Sequence, residues 1–184
     1  MRVIAGKARR LQLKTPEGFE TRPTTDRTKE TLFNILNPYL ADADFLDLFS
    51  GSGAIGIEAL SRGAKYAAFV DNSRSSVECI KANLKSTKLD SQAEVFPMSA
   101  LEAIRALELK GKVFDVVFMD PPYQQMLEKE VLLYLLNSNI IYCDTIIVVE
   151  ASLKTSFEYL EQTRFRIYKQ KEYKTNQHVF IEVK

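Results

Sequence analysis

The stretch LDLFSGSGAIG, residues 46–56, decides the fold because it joins an apolar strand to the start of a helix through three glycines. The glycines follow the pattern Gly51-x-Gly53-x-x-Gly56. Glycine lets the backbone turn sharply and approach a ligand closely, and the N-terminus of a helix offers unpaired N–H groups. The stretch therefore predicts a strand–loop–helix unit whose loop binds a ligand.

The rest of the chain repeats this alternation of strand and helix patterns. Short apolar runs predict strands at 44–49, 66–71, 93–96, 114–120 and 145–150. Helical spacing predicts helices at 54–62, 73–87, 99–109, 125–137 and 153–161. The last two strand patterns, 165–174 and 178–183, have no helix between them and predict an antiparallel hairpin. The expected fold is α/β: a seven-stranded, mostly parallel sheet with an antiparallel last strand and helices on both faces.

A shorter unit precedes the first strand–helix pair. Residues 1–14 predict a strand or a small β-hairpin, and a helix is predicted to begin at residue 24 or 25. The apolar side chains of this helix recur at helical spacing, and the Asn-Pro pair at 37–38 ends it. At 184 residues the chain is expected to form one domain, with residues 1–40 as an N-terminal extension and residues 41–184 as the core.

Composition argues against several functional classes. No apolar run approaches the roughly 20 residues of a membrane-spanning helix, and the start of the chain lacks the apolar segment of a secretory signal. The two cysteines, Cys79 and Cys143, are far apart, and with a single histidine they support neither a disulfide framework nor a metal site. A reduced, cytoplasmic protein without membrane association is the expectation.

Charge is unevenly distributed, although the net charge is only +1. Residues 1–30 have a net charge of +4, residues 31–163 of −7 and residues 164–184 of +4. Basic ends on an acidic body predict one electrostatic face for a phosphate backbone, and solvated surface charge is the alternative. The candidates for phosphate contact lie in or beside the element that is expected to border the ligand pocket: Lys7, Arg9, Arg10 and Arg27.

Two carboxylates narrow the class of ligand at the glycine loop. The next strand ends in Asp71, twenty residues after Gly51, where a carboxylate can accept both hydroxyl groups of a ribose or can cap the helix that follows. A nicotinamide or flavin dinucleotide and S-adenosylmethionine both fit this arrangement. Asp47 favours S-adenosylmethionine, because a carboxylate there would repel a pyrophosphate but can organise a loop near the cationic amino group of methionine. A structural role at the strand end is the alternative for Asp47.

The sequence DPPY, residues 120–123, ends the fourth predicted strand. In a doubly wound sheet that strand lies beside the first, so the tetrapeptide should face the glycine loop where the strand order reverses. Pro121 and Pro122 remove two backbone donors and stiffen an extended segment. The Asp120 carboxylate and the Pro121 carbonyl can then accept both hydrogens of an exocyclic amine on a base, and Tyr123 can stack on that base. These four residues are the predicted catalytic residues, with Asp120 as the acceptor of the released proton.

Together, LDLFSGSGAIGIEALSRGA (46–64) and FDVVFMDPPY (114–123) resemble the class I S-adenosylmethionine-dependent methyltransferases that modify exocyclic amines. The segment RPTTDRTKETLFNIL, residues 22–36, narrows the resemblance to the bacterial small-subunit (16S) ribosomal RNA (guanine-N2)-methyltransferases. In that family Arg-Pro-Thr-x-Asp-x-x-x-Glu precedes the cofactor loop, and the resemblance covers nearly the whole chain. The matching residues here are Arg22, Pro23, Thr24, Asp26 and Glu30.

The resemblance implies a Rossmann-like class I methyltransferase fold and S-adenosyl-L-methionine as the cofactor. Within the implied cofactor pocket, Ser99 stands where relatives often carry Asp or Asn toward the adenine. The implied cofactor-binding residues are Asp47, Gly51, Ser52, Gly53, Gly56, Asp71, Asn72, Ser99 and Ala100.

For the substrate, the resemblance implies a guanine in 16S ribosomal RNA that is methylated at its exocyclic N2. Residues 22–27 are expected to close over the site, with Arg22 and Thr24 in contact with RNA. The expected partner is this RNA within a small subunit or an assembly intermediate, without an obligate protein partner. In the last hairpin, YKTNQHV replaces an expected glycine turn, so no substrate role is assigned to the turn, and His178 is expected to be structural.

Three other functions stay open. The same chemistry on N6 of a DNA adenine is compatible with DPPY, although 184 residues leave little room for a separate DNA-reading domain. A dinucleotide-dependent oxidoreductase is disfavoured by Asp47 and by DPPY. A non-catalytic RNA-binding module with a methyltransferase fold would not require intact glycine and DPPY motifs.

Overall fold

The structure, a computed structural model, describes residues 1–16, 26–123 and 125–184. In this part of the chain the helices are α1 Asp26–Leu36, α2 Ala54–Ser61, α3 Arg74–Thr87, α4 Ala100–Leu109 and α5 Leu127–Leu135. The strands are β1 Asp44–Leu48, β2 Tyr66–Val70, β3 Ala93–Phe96, β4 Val116–Met119, β5 Ile146–Ser152, β6 Phe165–Glu172 and β7 Asn176–Val183. Short 3-10 turns lie at Asn37–Tyr39, Asp90–Gln92 and Glu158–Leu160. Among the described residues, none of the helices is both long and apolar enough to cross a membrane.

The seven strands form one sheet in the order β3-β2-β1-β4-β5-β7-β6. Strands β1 to β5 pair in parallel, whereas β7 runs antiparallel to both of its neighbours, β5 and β6. The prediction of a mostly parallel seven-stranded sheet with an antiparallel last strand is therefore confirmed. The strand order reverses between β1 and β4, whose carboxyl ends pair through Leu48 and Met119. Ligands of such sheets bind outside the carboxyl ends of the strands at this point.

Alternate side chains of the central strands enter two separate cores. Phe45 of β1, Phe69 of β2 and Phe118 of β4 pack on one face with α1, α2 and α3. Leu46 and Val117 point to the other face and pack with α4 and α5. Because both faces are covered, these parallel strands are continuous apolar runs in the sequence. The alternation also determines which polar residues at the strand ends share a face.

The N-terminal residues form a minimal hairpin with one antiparallel bridge, between Arg2 and Gln12. Its turn lies against the end of α2: Gly6 has φ = 80°, and a Cβ atom there would lie 1.8 Å from the carbonyl oxygen of Ser61. The Ala8 amide donates a hydrogen bond to the Ser61 hydroxyl at 2.9 Å. Only glycine fits at this position, so the hairpin is docked on α2 through its turn.

A buried ion pair fixes α1 and the hairpin on α2. Lys29 and Glu58 are fully buried, and Lys29 Nζ lies 3.1 Å from Glu58 Oε2. The Glu58 carboxylate also accepts hydrogen bonds from the amides of Ile4 and Ala5 and from Arg62 Nε. Burial lowers the pKa of Lys29, and the charge of Glu58 opposes this effect. One carboxylate thus anchors both parts of the N-terminal extension to the core.

Two features of the sequence prediction differ from the structure. The predicted start of the first helix, residue 24 or 25, lies outside the described residues, and α1 is described from Asp26. The predicted helix at 153–161 is wrong, because only the 3-10 turn Glu158–Leu160 is present there. Strand β5 continues to Ser152 because it pairs with β7 along its whole length.

Candidate active site

The alternation of side chains places four carboxylates at the carboxyl edge of one face of the sheet. Asp47 of β1 is the register partner of Phe69 in β2 and of Phe118 in β4, so its side chain lies on the same face of the sheet as theirs. Asp71 and Asp120 follow two residues after those phenylalanines, and Glu150 occupies the matching position at the end of β5. A two-residue step returns a strand side chain to the same face. These four carboxylates therefore lie at the edge where the glycine loop joins β1 to α2.

The glycine loop depends on glycine for both its conformation and its packing. Gly51 and Gly53 have φ values of 56° and 75°, in the left-handed region. A Cβ atom at Gly56 would lie 2.4 Å from Cε1 of Phe69, so a larger residue does not fit between α2 and β2. A Cβ atom at Gly51 would meet nothing within 4 Å. The loop therefore offers its backbone to a ligand at Gly51 and packs against the sheet at Gly56.

Asp47 holds the glycine loop from the side of the sheet. Its Oδ2 atom accepts a hydrogen bond from the Gly56 amide at 2.9 Å, and the residue is 1% exposed. Burial raises the pKa of Asp47 to about 7, and the hydrogen bond from Gly56 opposes the rise. The structure thus gives Asp47 a role in organising the loop, and its direct contact with a cofactor stays a prediction.

Asp71 joins the glycine loop to the helix that follows β2. Its Oδ2 atom accepts a hydrogen bond from the Gly51 amide at 2.8 Å, and its Oδ1 atom accepts one from the Ser73 amide at 2.9 Å. The alternative role considered for Asp71, capping this helix, belongs to Ser73, whose hydroxyl accepts from the Ser76 amide. Asp71 is partly exposed, and each carboxylate oxygen keeps a lone pair for a ligand hydroxyl. The neighbouring Asn72 is exposed.

Three further predicted cofactor residues lie at the same edge. Ser52 belongs to the glycine loop, and its carbonyl accepts a hydrogen bond from Asn83 Nδ2 at 2.9 Å. Ser99 precedes α4, and its amide and hydroxyl donate to the Glu102 carboxylate at 3.0 and 2.6 Å. Ala100, the first residue of α4, is buried. The Ser99 hydroxyl is thus engaged by its own helix, and its contact with an adenine ring stays a prediction.

The tetrapeptide at residues 120–123 lies directly after β4 and beside the end of β1, as the sequence predicted. Its first two residues are partly or fully buried, and its last two are exposed. Burial raises the pKa of Asp120 well above its usual range, and the negative charges of Glu150 and Asp47 add to the rise. Tyr123 is 47% exposed, and its stacking on a base stays a prediction.

Sequence reasoning missed Glu150 at this edge and did not connect it with His178, which was expected to be structural. Glu150, at the end of β5, is 5% exposed, and His178, opposite it on β7, is fully buried. Glu150 Oε2 and His178 Nε2 lie 3.0 Å apart. The sequence spacing could have indicated their position. Glu150 and His178 are each two residues along a strand from Val148 and Phe180, which pack on the face of the sheet that also carries Asp120.

The basic residues of the hairpin turn lie at the opposite edge, so the expectation that they border the pocket is corrected. The Lys7 amide donates to the Ser61 carbonyl at the end of α2, and Lys7 Nζ donates to Gln92, directly before β3. Both partners lie at the amino edge of the sheet, separated from the glycine loop by the eight residues of α2, roughly 12 Å. Arg9 and Arg10 follow in the same turn and are exposed. The docking of the glycine turn on α2 is the physical reason for this placement.

The other predicted RNA contacts belong to the start of α1. Arg27 is exposed in the first turn of this helix. Phe33 packs against Arg62 after the end of α2, and Lys29 pairs with Glu58 one turn earlier in α2, so the first turn of α1 lies toward the start of α2 and the site. Arg22 and Thr24 lie outside the described residues.

This chain is similar in sequence and in structure to known bacterial proteins. Ribosomal RNA small subunit methyltransferase D of Haemophilus influenzae is 40% identical over 153 residues, which cover 82% of this chain and 78% of that protein. The Escherichia coli protein of the same name is 37% identical over 154 residues, which cover 84% of this chain and 76% of that protein. The solved structure of the Escherichia coli methyltransferase candidate yhhF has a TM-score of 0.86 at 32% identity and covers 100% of this chain and 98% of that chain. The fold is that of the class I methyltransferases, as predicted.

The family relationship extends over almost the whole chain. The family model described as "Conserved hypothetical protein 95" matches residues 1–182. This range includes the glycine loop, the DPPY tetrapeptide and the last hairpin. The chain therefore belongs to the family described as conserved hypothetical protein 95.

Proposed function

We propose that this protein transfers a methyl group from S-adenosylmethionine to the exocyclic N2 of a guanine in small-subunit ribosomal RNA. The observation that carries the proposal is the position of residues 120–123 at the end of β4, beside the glycine loop where the strand order reverses. The names of the two bacterial relatives support methyl transfer to small-subunit ribosomal RNA. The choice of N2 of guanine rests on the resemblance of residues 22–36 to the (guanine-N2)-methyltransferases.

The residues around the glycine loop fit S-adenosylmethionine better than a dinucleotide. Gly51 faces open space, and beside it Asp71 offers carboxylate lone pairs to the hydroxyl groups of a ribose. Asp47 and Asp71 make this region acidic, which disfavours a pyrophosphate and suits a cationic ligand. S-adenosylmethionine would supply a methyl group bound to a positively charged sulfur. The remaining proposed cofactor contacts are Ser52, Gly53, Gly56, Asn72, Ser99 and Ala100.

Asp120 and Pro121 are proposed to bind the amine of the target base. An exocyclic amine is a poor nucleophile because its lone pair is delocalised into the ring. Hydrogen bonds from its two hydrogens to the Asp120 carboxylate and the Pro121 carbonyl favour a pyramidal nitrogen and direct its lone pair. Pro122 keeps the segment extended, and Tyr123 stacks on the base. Positioning of this kind contributes up to roughly 7–11 kcal/mol in favourable cases.

Asp120 is also proposed to accept the proton that the methylated nitrogen releases. Burial and two neighbouring carboxylates raise its pKa, and an ionised carboxylate with a raised pKa is a stronger base. A carboxylate with an ordinary pKa would hold the proton less strongly at the moment of transfer. The reaction is therefore expected to become faster as the pH rises through the pKa of Asp120.

Residues 1–40 are proposed to form an RNA-facing extension of the core, residues 41–184. Arg27 is an exposed cation that supports this role at the carboxyl edge, and Arg22 and Thr24 are proposed as further RNA contacts. The basic residues of the hairpin turn would contact RNA only where the substrate extends to the amino edge. The target base must leave its stack to reach the tetrapeptide.

Methyl transfer from labelled S-adenosylmethionine tests the proposal. The acceptors are unmethylated small ribosomal subunits, naked ribosomal RNA and duplex DNA, each followed by nucleoside analysis. We expect N2-methylguanosine in the RNA, and we expect Asp120→Ala to abolish turnover while the cofactor still binds. N6-methyladenine in DNA would keep the mechanism and replace the substrate. Absence of label, with the cofactor bound, would favour a non-catalytic RNA-binding module.

A further inference from the structure

We propose that Glu150, His178 and Tyr173 form a positioning network that holds a negative charge beside Asp120 and makes Asp120 a stronger proton acceptor. The inference rests on the proposed function, because it concerns the same site. All three residues lie outside the DPPY and glycine motifs and come from the end of β5, the start of β7 and the turn between β6 and β7.

The three side chains form a continuous row of hydrogen bonds. The Tyr173 hydroxyl lies 3.0 Å from His178 Nδ1, and His178 Nε2 lies 3.0 Å from Glu150 Oε2. Burial and the charge of Glu150 raise the pKa of Tyr173 to about 12, so its hydroxyl keeps a proton to donate to Nδ1. His178 then accepts at Nδ1 and donates from Nε2, which satisfies both ring nitrogens. Asn176 Nδ2 donates to the other Glu150 oxygen, Oε1.

Aromatic rings hold the imidazole in this orientation. His178 contacts the rings of Tyr173, Phe118 and Phe180 edge-on, with centroid distances of 5.0, 6.2 and 6.4 Å. A fully buried ring with neighbours on three sides does not rotate without repacking the core. The direction of the Glu150 carboxylate is thus fixed by packing as well as by hydrogen bonds.

The pairing of β4 with β5 brings this carboxylate to Asp120. Met119 and Val149 are register partners, so Asp120 and Glu150 are the next pair across two strands that lie about 4.8 Å apart. Both side chains project from the same face of the sheet. Like charges at this distance disfavour ionisation, so the proton is held more strongly once it is on Asp120.

Few other charged groups face Asp120 among the residues that the structure describes. Asp47 approaches it from β1, but its Oδ2 atom is engaged by a backbone amide of α2. On α1 and α2, which cover the same face, the buried charges of Lys29 and Glu58 pair with each other. Glu150 has the larger electrostatic effect on Asp120 of the two neighbouring carboxylates. Its removal should therefore change the ionisation of Asp120 most.

The network exchanges no atoms with the substrate. The amine nitrogen forms a bond to the methyl carbon while the bond between that carbon and sulfur breaks, and the bonding electrons stay on sulfur. The nitrogen then carries a positive charge, and it becomes neutral when the ionised Asp120 carboxylate takes its proton. Glu150 acts only through Asp120, by raising its affinity for that proton.

The first test follows the ionisation of Asp120 directly and needs no RNA. Carbon-13 NMR of labelled aspartate carboxyl groups, assigned by the resonance lost in Asp120→Asn, is compared between Glu150→Gln and Glu182→Gln. Glu182 is a matched control because it lies at the amino end of the sheet, where it pairs with Arg166. We expect the Asp120 titration to move to lower pH by about one to two units in Glu150→Gln only. An unchanged titration in Glu150→Gln would overturn the inference.

The second test uses the methyl-transfer reaction. The acidic limb of the pH profile of kcat is expected to move by the same amount in Glu150→Gln, whereas a purely structural role would lower activity at every pH without moving the limb. If the NMR titration of Asp120 moves in Glu150→Gln but the acidic limb of the kcat profile does not, Asp120 is not the group that accepts the proton. A wild-type protein that transfers no methyl group to RNA would refute the proposed function, and the NMR test would still decide the network.

Tyr173→Phe provides a second variant if Glu150→Gln fails to fold. It keeps the ring that packs on His178 and removes only the hydroxyl. Without this hydroxyl, His178 Nδ1 loses its hydrogen-bond partner, and the imidazole holds the Glu150 carboxylate less firmly beside Asp120. We expect a smaller shift of the Asp120 titration in the same direction, and a shift to higher pH would contradict the network.

Discussion

The carboxylate of Asp71 accepts a hydrogen bond from the Gly51 amide at 2.8 Å, across twenty residues of sequence. Its other oxygen accepts from the Ser73 amide, so one side chain ties the glycine loop to the start of α3. The aspartate that is proposed to bind a ribose therefore also shapes the loop that would hold the rest of the cofactor. Loss of its carboxylate should remove a ligand contact and a support of the loop together.

Asp71→Ala is accordingly expected to weaken the binding of S-adenosylmethionine by about 10- to 100-fold, because charged hydrogen bonds are each worth about 1.5–3 kcal/mol. Isothermal titration calorimetry measures this affinity without any RNA. Asp144→Ala, which removes an exposed aspartate in the turn before β5, should bind as the wild type does. Wild-type affinity in Asp71→Ala would contradict both roles of the carboxylate.

Gly56→Ala is expected to lower the free energy of unfolding by about 1–3 kcal/mol, because the new Cβ atom would lie 2.4 Å from the Phe69 ring. Urea unfolding measures this loss. Gly56 lies inside α2 and its φ is not in the left-handed region, so backbone strain does not contribute to this loss. Phe69→Leu, added to Gly56→Ala, should restore part of the stability, and a double variant less stable than either single variant would argue against the clash.

The buried pair of Lys29 and Glu58 predicts an order of stabilities. Glu58→Gln leaves the Lys29 charge buried without its partner and should cost about 3–5 kcal/mol. Lys29→Met removes that buried charge, while Glu58 keeps Arg62 and two backbone amides. We therefore expect the free energy of unfolding to fall less in Lys29→Met than in Glu58→Gln. Chemical denaturation of both variants at neutral pH gives the order, and the reverse order would contradict this account of the pair.

Asp47 predicts a dependence of stability on pH. Its pKa is about 7 in the folded protein against an ordinary value of 3.8, so between these values the folded state holds a proton that the unfolded chain releases. Stability contributed by Asp47 therefore falls as the pH rises from about 4 to about 7, by at most about 1.4 kcal/mol per pH unit. Asp47→Asn removes the titration and keeps an oxygen for the Gly56 amide.

Urea unfolding of the wild type and of Asp47→Asn at several pH values in this window tests the dependence. The wild type is expected to lose stability relative to Asp47→Asn with each step to higher pH. A constant difference between the two proteins would show that Asp47 titrates below the window. If the wild type instead gained stability relative to Asp47→Asn as the pH rises, the pKa of Asp47 would be lowered by folding rather than raised.

The sequence predicted the central sheet because the signals for it are local. Residues 93–96 form a strand with the bounds that the apolar run indicated, and the glycines of the loop lie where φ is positive or where a side chain would meet Phe69. The tetrapeptide at 120–123 could be placed beside the glycine loop because a doubly wound parallel sheet brings its first and fourth strands together.

The rest of the site depends on contacts that sequence spacing does not show. Glu150 and His178 are 28 residues apart, and they meet only through the register of β5 and β7. The placement of Lys7 was wrong for a similar reason. Its pattern indicates a basic hairpin, but the edge at which the turn lies is decided by the fit of Gly6 against Ser61.

The two edges of the sheet predict different effects for two arginines. Arg27→Gln and Arg9→Gln remove the same charge, from the first turn of α1 and from the hairpin turn at the amino edge. RNA bound over the tetrapeptide should lose one phosphate contact in Arg27→Gln. The slope of a plot of log binding constant against log salt concentration should therefore become shallower by about one unit. Fluorescence anisotropy with an unmethylated ribosomal RNA fragment at several salt concentrations measures both quantities. Arg9→Gln should leave affinity and slope unchanged, and equal losses in the two variants would mean that the RNA reaches both edges.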